Sequence, residues 1–452
     1  MKNFVVLFFV GLSISVFAQR EVTLYGLDNV YQASFVNPVA EPTSKVSVSL
    51  LPSIYFGTAL PISGRNVIKD DEISPSNMID GLNKGLWNMT FTDVNLLGIR
   101  FKAKKWFWNA SIRARNNQKF MVDKDLLELA WYGNGDLLGD DVDLSSMATQ
   151  ATAYTEIGFG GARDFGDKWR FGAKVKLNLG IANASNTSTD AVLYFDPTTY
   201  EASLNGGYRV NTASLPNIDD EGGFDGLDPV DYLKPNFKNM GLGIDLGAQY
   251  KFNDKLSFSA SLVDVGFINW KDNPQNYNLE VDGVLKGADA IGAVLRGEDT
   301  DSVFNSWIEE IADSGDYSTT NEGYTTMTHG QFYFSAKYKL TQSSNVYGRV
   351  NMFLWQGLRS SLTAGVSQEF GRFFQLTVNN TIQYNRLFNI GLGLVFKPGP
   401  VQIYMVADNV LVSSFVQYDN FDFPIPTYAT NVNFRFGINL VFGKIQTEDK
   451  IY

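Results

Sequence analysis

Residues 169–181 read WRFGAKVKLNLGI, in which Trp169, Phe171, Ala173, Val175, Leu177, Leu179 and Ile181 alternate with Arg170, Gly172, Lys174, Lys176, Asn178 and Gly180. A strand places such a set on one face, and a helix cannot. The pattern recurs over 332–340 and 432–442. These runs exceed the ~5–6 residues of an ordinary strand. They suit the ~9–11 tilted residues that cross a bilayer. No stretch after the first residues reaches the ~18 consecutive apolar residues of a spanning helix.

Working outward, sixteen strands are expected, at about 46–57, 89–103, 105–115, 151–163, 168–181, 190–196, 200–211, 239–252, 255–270, 329–340, 344–354, 359–370, 373–385, 387–396, 400–409 and 429–443. Short turns alternate with long connections, the long ones at 58–88, 116–150, 182–189, 212–238, 271–328 and 410–428. Only the connections near 355–358 and at Arg386 break the rule. Short periplasmic turns and long extracellular loops characterise an outer-membrane barrel, and a soluble sandwich has no reason to alternate them. The expected fold is therefore all-β, a transmembrane antiparallel outer-membrane β-barrel over 46–443, with both termini periplasmic. The segment 190–196 is short enough for its hairpin to lie outside the membrane, which leaves fourteen strands as the alternative.

The 452 residues include no Cys and one His, and 37 basic against 48 acidic residues give a net charge of −11. That removes disulfides, thiolate metal sites and histidine-pair metal sites, and it disfavours a nucleic-acid partner. His329 has no partner readable from sequence, so no catalytic role, cofactor or metal is expected. At the start, Lys2 precedes the apolar run 4–17 (FVVLFFVGLSISVF), with Val16 and Ala18 as small residues before a cleavage point. This is the pattern of a signal peptide over 1–18. Residues 19–45 form a separate segment before the first strand, and 444–452 a short periplasmic tail with no further domain.

Four short stretches carry a resemblance. Leu24-Tyr25-Gly26-Leu27-Asp28-Asn29-Val30, followed by Ser34-Phe35-Val36-Asn37-Pro38, resembles the start of an uncharacterised outer-membrane barrel family of Bacteroidota. The runs 263–268 (VDVGFI) and 407–411 (ADNVL), each at the outer end of a strand, are similar to that family as well. Asn37-Pro38 is also distantly similar to the Asn-Pro-Ala of the long-chain fatty-acid transporter superfamily, although Val39 stands where that family has Ala. The resemblance implies that 19–45 is a hatch inside the barrel, with Asn37 and Pro38 shaping its turn. It also implies loop helices that gather a ligand.

Sorting by parity puts Arg100, Lys102, Arg113, Arg115, Arg170, Lys174, Lys176, Lys251, Lys337, Lys339, Arg349 and Arg435 inside, with fewer acids: Glu156, Asp245, Glu369 and Asp408. A basic lumen in an acidic protein has two readings. Its cations pair with wall acids and with Asp28 or Glu41 of the hatch, or Arg100, Arg113, Lys174, Lys176, Arg349 and Arg435 make a track for an anionic or amphipathic solute.

Two loop segments read as helices, one over 124–131 capped by Asp123 and one carrying Phe304, Trp307, Ile308 and Ile311 at helical spacing after Asp301. They form a lid with its own core, or an apolar groove that collects a hydrophobic ligand. The acidic runs 219–231 and 140–143 read as solvated loops, the first lacking EF-hand spacing for calcium. The function expected is passive uptake of a small hydrophobic or amphipathic solute. The alternative is a barrel that docks, shuttles or braces within an outer-membrane protein complex. Outer-membrane lipid is the partner common to both.

Overall fold

The computed structural model describes residues 21–445 apart from 50, 63–66, 70–71, 200, 216, 219–223, 226–235, 286–314, 355–357, 384–387, 410–414, 417–424 and 427–430. Its wall strands are β1 (Ser44–Ser49, resuming as Ser53–Ala59), β2 (Gly85–Ala103), β3 (Trp106–Asp123), β4 (Ala148–Phe165), β5 (Trp169–Thr189), β6 (Met240–Lys251) and β7 (Leu256–Trp270). They continue as β8 (Tyr324–Met327, resuming as Gln331–Lys339), β9 (Ser344–Leu354), β10 (Leu358–Phe370), β11 (Phe374–Ile382), β12 (Ile390–Phe396), β13 (Val401–Asp408) and β14 (Asn431–Lys444).

Each strand pairs antiparallel with its sequence neighbours, and β14 pairs with both β13 and β1, which closes the barrel at fourteen strands. The gap in β1 falls at Pro52, which has no N–H to give to a ladder.

The favoured count of sixteen is corrected by the two segments near 190–196 and 200–211. β6 begins at Met240 opposite Leu179. Above that point the edge of β5 is free, and Ala202–Ala213 takes it, pairing with residues 183–189. Ala202–Ala213 then pairs with Pro274–Leu285, and Val192–Phe195 bridges it to Asp141–Asp143. Four residues are too few to cross a bilayer. The turn between the two segments is fastened by Asp196, whose Oδ1 accepts from the N–H groups of Thr199 (2.8 Å) and Thr198 (2.7 Å). Those bonds hold its carboxyl below the usual range.

This sheet above the wall has its own core. Leu193, Phe195, Val142, Leu144, Ala202 and Val281 are buried together with Leu129 of α1 (Lys124–Tyr132), whose N-cap Asp123 accepts from Asp125 N–H at 3.1 Å. The acidic run 140–143, expected as a solvated loop, contains the strand Asp141–Asp143, which inserts Val142 into that core. The segment with Phe304, Trp307, Ile308 and Ile311 lies outside the described residues, as does the run 219–231 apart from Phe224 and Asp225.

Outward positions carry Phe171, Val175, Leu242, Phe334 and Phe436, all exposed although apolar. Inward positions carry the charged and amide residues, which are buried. Only an apolar solvent around the wall reconciles the two faces. Val175 is 61% exposed in the middle of this band. A Val175→Lys variant is expected to lose about 2–4 kcal/mol of unfolding free energy, measured by denaturant titration from phospholipid vesicles.

Candidate functional site

The lumen is filled by residues 21–43. They form two single turns of 3-10 helix, Leu24–Gly26 and Tyr31–Phe35, and pair with no wall strand. Their apolar side chains (Leu24, Leu27, Val30, Val36) pack on inward Val263, Tyr333, Val395, Tyr404 and Val406. The polar ones find partners around the wall. Gln32 and Asn439 exchange amide hydrogen bonds of 2.9 Å each. The Tyr31 hydroxyl donates to the Ala110 carbonyl at 2.7 Å, and Asn379 Nδ2 donates to Thr23 Oγ1 at 2.7 Å. The Thr23 hydroxyl donates to Asp408. Ion pairs join Asp28 to Lys337 (2.6 Å), Glu41 to Lys251 (3.4 Å) and Glu21 to Arg435.

Asn37 and Pro38 sit where the segment turns along the wall. Asn37 Oδ1 accepts from Val39 N–H at 3.2 Å, closing a local turn. The wall makes room with glycines. A Cβ at Gly172 would stand 2.6 Å from the Pro38 carbonyl oxygen, and one at Gly247 3.2 Å from Val39 Cγ1.

Beside this segment, β2 to β7 carry a buried charge cluster. Arg113 donates from Nε and Nη2 to Glu156 (3.1 and 2.7 Å) and from Nη1 to Asp93 (2.9 Å). Arg115 grips Asp264 with two bonds of 2.8 Å and reaches Glu156 at 2.9 Å. Lys176 lies 2.6 Å from Asp245 and 2.5 Å from Asp264. Three cations therefore face four carboxylates, all withdrawn from solvent. Such a set is stable only while its pairs are complete.

Asp93 and Asp264 escape a parity reading, and the reason is the same for both. A bulge in β2 between Asn95 and Leu97 reverses the alternation, so Asp93 and Arg100 both point inward despite odd and even numbers. A second irregularity sets Asp245 of β6 against a bulged β7, where Asp264 takes φ +60°. Its N–H donates to Asp245 Oδ1 at 2.8 Å, holding a backbone conformation that non-glycine residues rarely adopt. An acid amid apolar residues 263–268 is the one sequence signal that points to Asp264; Asp93 has none.

The six basic residues of the sequence reading fall into three settings. Arg113, Lys174 and Arg435 surround the ring of Phe35, with cation-to-centroid distances of 4.3, 5.0 and 5.8 Å, and Lys176 completes the adjoining cluster. Lys174 itself donates to Ser111 at 2.9 Å. Arg349 donates to the Val22 carbonyl and lies over the rings of Tyr25 (4.2 Å) and Tyr347 (4.9 Å). Arg100 is buried, with no hydrogen-bond partner for any guanidinium nitrogen among the described residues. Phe35, absent from the parity lists because it precedes the strands, is the ring on which three of these cations converge. His329 stands beside Phe353, ring centroids 6.3 Å apart, where β8 resumes.

A model of a family of unknown function, DUF5723, matches residues 38–408. No curated protein matches. Among solved structures the chain is similar to the Pseudomonas putida toluene transporter TodX, at 10% identity over 95% of this chain and 94% of that one, with a TM-score of 0.41. It is similar to the deltaS2S3 mutant of TodX, a monoaromatic hydrocarbon channel, at 11% identity over 95% and 96%, with a TM-score of 0.45. It is also similar to a Pseudomonas aeruginosa FadL homologue, at 10% identity over 92% and 94%, with a TM-score of 0.41.

Proposed function

We propose that this chain, which belongs to the DUF5723 family of unknown function, is an outer-membrane barrel for passive uptake of a small hydrophobic or amphipathic solute, gated by its N-terminal segment. In this reading residues 1–18 are a cleaved signal peptide, 19–45 the hatch, 46–443 the barrel and 444–452 a periplasmic tail. Both termini then lie in the periplasm of a Bacteroidota cell, and the long loops face outward.

One observation carries the reading. Residues 21–43 occupy the lumen through side-chain contacts and share no ladder with the wall, which closes without them through β14 and β1. A segment held in this way can leave without unzipping a strand pair. Its tethers are mostly hydrogen bonds and ion pairs that water replaces at modest net cost, about 1 kcal/mol for a neutral bond. An apolar lining at Val263, Tyr333, Val395, Tyr404 and Val406 would be uncovered as it moves. An amphipathic solute meets there an apolar wall beside cationic groups.

A staple tests the gate. Thr23 Cγ2 lies 3.1 Å from where a Cβ at 393 would be, within the reach of a disulfide between adjacent β-carbons. The chain has no cysteine of its own. In the Thr23→Cys/Gly393→Cys variant, uptake of a hydrophobic tracer into proteoliposomes is expected to stop on oxidation and to return with reductant. Equal uptake in both states means that the segment does not gate.

The folded sheet above the wall, with its own core, favours a second reading as a docking platform for a partner protein. Native mass spectrometry showing a stoichiometric partner subunit on the purified protein, together with an inert staple, selects it.

A further inference from the structure

The outer face of the wall is not evenly tiled. Across β3 to β8 it is hollowed into a groove of about 740 Å³. The floor is Gly161, Ala173, Ala248 and Ala260, small outward residues set side by side, with Gly161 opposite Ala173 and Ala248 opposite Ala260. One bank is a stack of rings, Trp106 on Trp108 at 5.3 Å and Trp108 on Phe159 at 5.4 Å. The volume falls in the range of roughly 300–1,000 Å³ that holds a discrete small molecule. An unfilled hollow forfeits dispersion contacts along its whole lining, so hydrocarbon belongs in it.

A cation stands at the short-turn end of the same groove. Arg163 of β4 projects outward between Trp106 and Phe165, its guanidinium carbon 5.5 and 4.4 Å from their ring centroids. Its Nε is buried and has no hydrogen-bond partner among the described residues. Lys104 and Lys105 in the β2–β3 turn, and Lys168 in the β4–β5 turn, add exposed positive charge at this level. The neighbouring rings of Trp169, Phe171 and Tyr250 form the aromatic belt that marks a membrane interface. An arginine on a lipid-facing wall is tolerated at that depth, where a phosphate is within reach.

We infer that the groove is a phospholipid site: an acyl chain lies over Gly161, Ala173, Ala248 and Ala260, and the headgroup phosphate accepts hydrogen bonds from Arg163. The inference rests on the membrane reading of the barrel but not on transport. The bound lipid also buttresses a part of the wall where glycines face inward. On the inner side of the same strands, Gly172 and Gly247 lie against the Pro38-Val39 turn, so at these two positions no wall side chain stands between the groove and that turn.

The test is native mass spectrometry on the full protein after exchange into mild detergent, with added phosphatidylethanolamine or diacylglycerol. Wild type is expected to retain one phosphatidylethanolamine and at least ten-fold less diacylglycerol. Ala248→Phe fills the floor and should abolish retention of both. Ala173→Leu should do the same by a smaller intrusion, in case the phenylalanine prevents folding. Arg163→Gln should remove the preference for the phosphate-bearing lipid. Heat-shifted electrophoretic mobility reports barrel closure separately, so loss of the membrane reading and loss of the lipid site are distinguishable. Retention unchanged by the floor variants, no headgroup preference in wild type, or a second copy of the chain seated on this face overturns the proposal.

Discussion

A Glu156→Ala variant is expected to be destabilised by about 3–5 kcal/mol, because it breaks a buried ion pair and leaves Arg113 Nε and Nη2 without the acceptor they share. Glu156 accepts from Arg113 three times and from Arg115 once, and it lies 3.6 Å from Lys176. Its removal leaves three cations facing Asp93, Asp245 and Asp264 in a space closed to solvent. The Glu156→Gln variant keeps the shape and one acceptor oxygen, so it should lose less. The Arg113→Ala/Glu156→Ala pair should cost less than the sum of its single changes, since the second substitution removes the charge that the first exposed. Denaturant unfolding in micelles, followed by tryptophan fluorescence, measures all four. Additive losses would mean that the two groups act independently and that the cluster is not one unit.

How much of this was legible beforehand follows from the same residues. Alternation along 169–181 needs only local information, and the wall strand it describes forms. The count of strands needed more. Residues 190–196 and 200–211 alternate as well as many wall strands do, but what decides their place is where β6 starts, at Met240 opposite Leu179, a fact of pairing that no single segment contains. Parity carried Arg113, Lys174 and Lys176 to the inner face because β3 and β5 are regular below residue 180. It failed at Asp93 and Asp264 because a bulge inserts one residue and turns every later side chain over. The carboxylates that answer the basic lumen were therefore undercounted. The lumen cations were expected either to pair with wall acids and with Asp28 or Glu41 of the N-terminal segment, or to line a solute track; Arg113, Arg115 and Lys176 meet wall acids, Lys337 and Lys251 meet Asp28 and Glu41, and Arg435 meets Glu21 with the wall acid Asp93 at 3.4 Å.

That division sets the sign of the second large effect. Deleting residues 21–43 removes Glu21, Asp28 and Glu41 from the lumen and takes no basic residue with them. Arg435, Lys337 and Lys251 lose their ion-pair partners in that segment, and Arg349 loses the Val22 carbonyl. Arg100 has no hydrogen-bond acceptor among the described residues even with the segment in place. The Arg113, Arg115 and Lys176 cluster keeps its wall acids and stays close to neutral. The opened lumen is therefore left with excess positive charge in a narrow space, where low-dielectric walls focus its field and counter-ions gather. In planar bilayers the deletion variant is expected to conduct, whereas the intact protein does not, and its reversal potential in a salt gradient should show anion selectivity. Lysine and arginine at 251, 337 and 435 replaced together by glutamine should leave the conductance and remove the selectivity. Raising the salt concentration should weaken it in the unsubstituted deletion, since screening shortens the reach of each charge. A leak indifferent to the sign of the ion would show that the wall acids already balance the lumen and that the segment fills space without supplying charge.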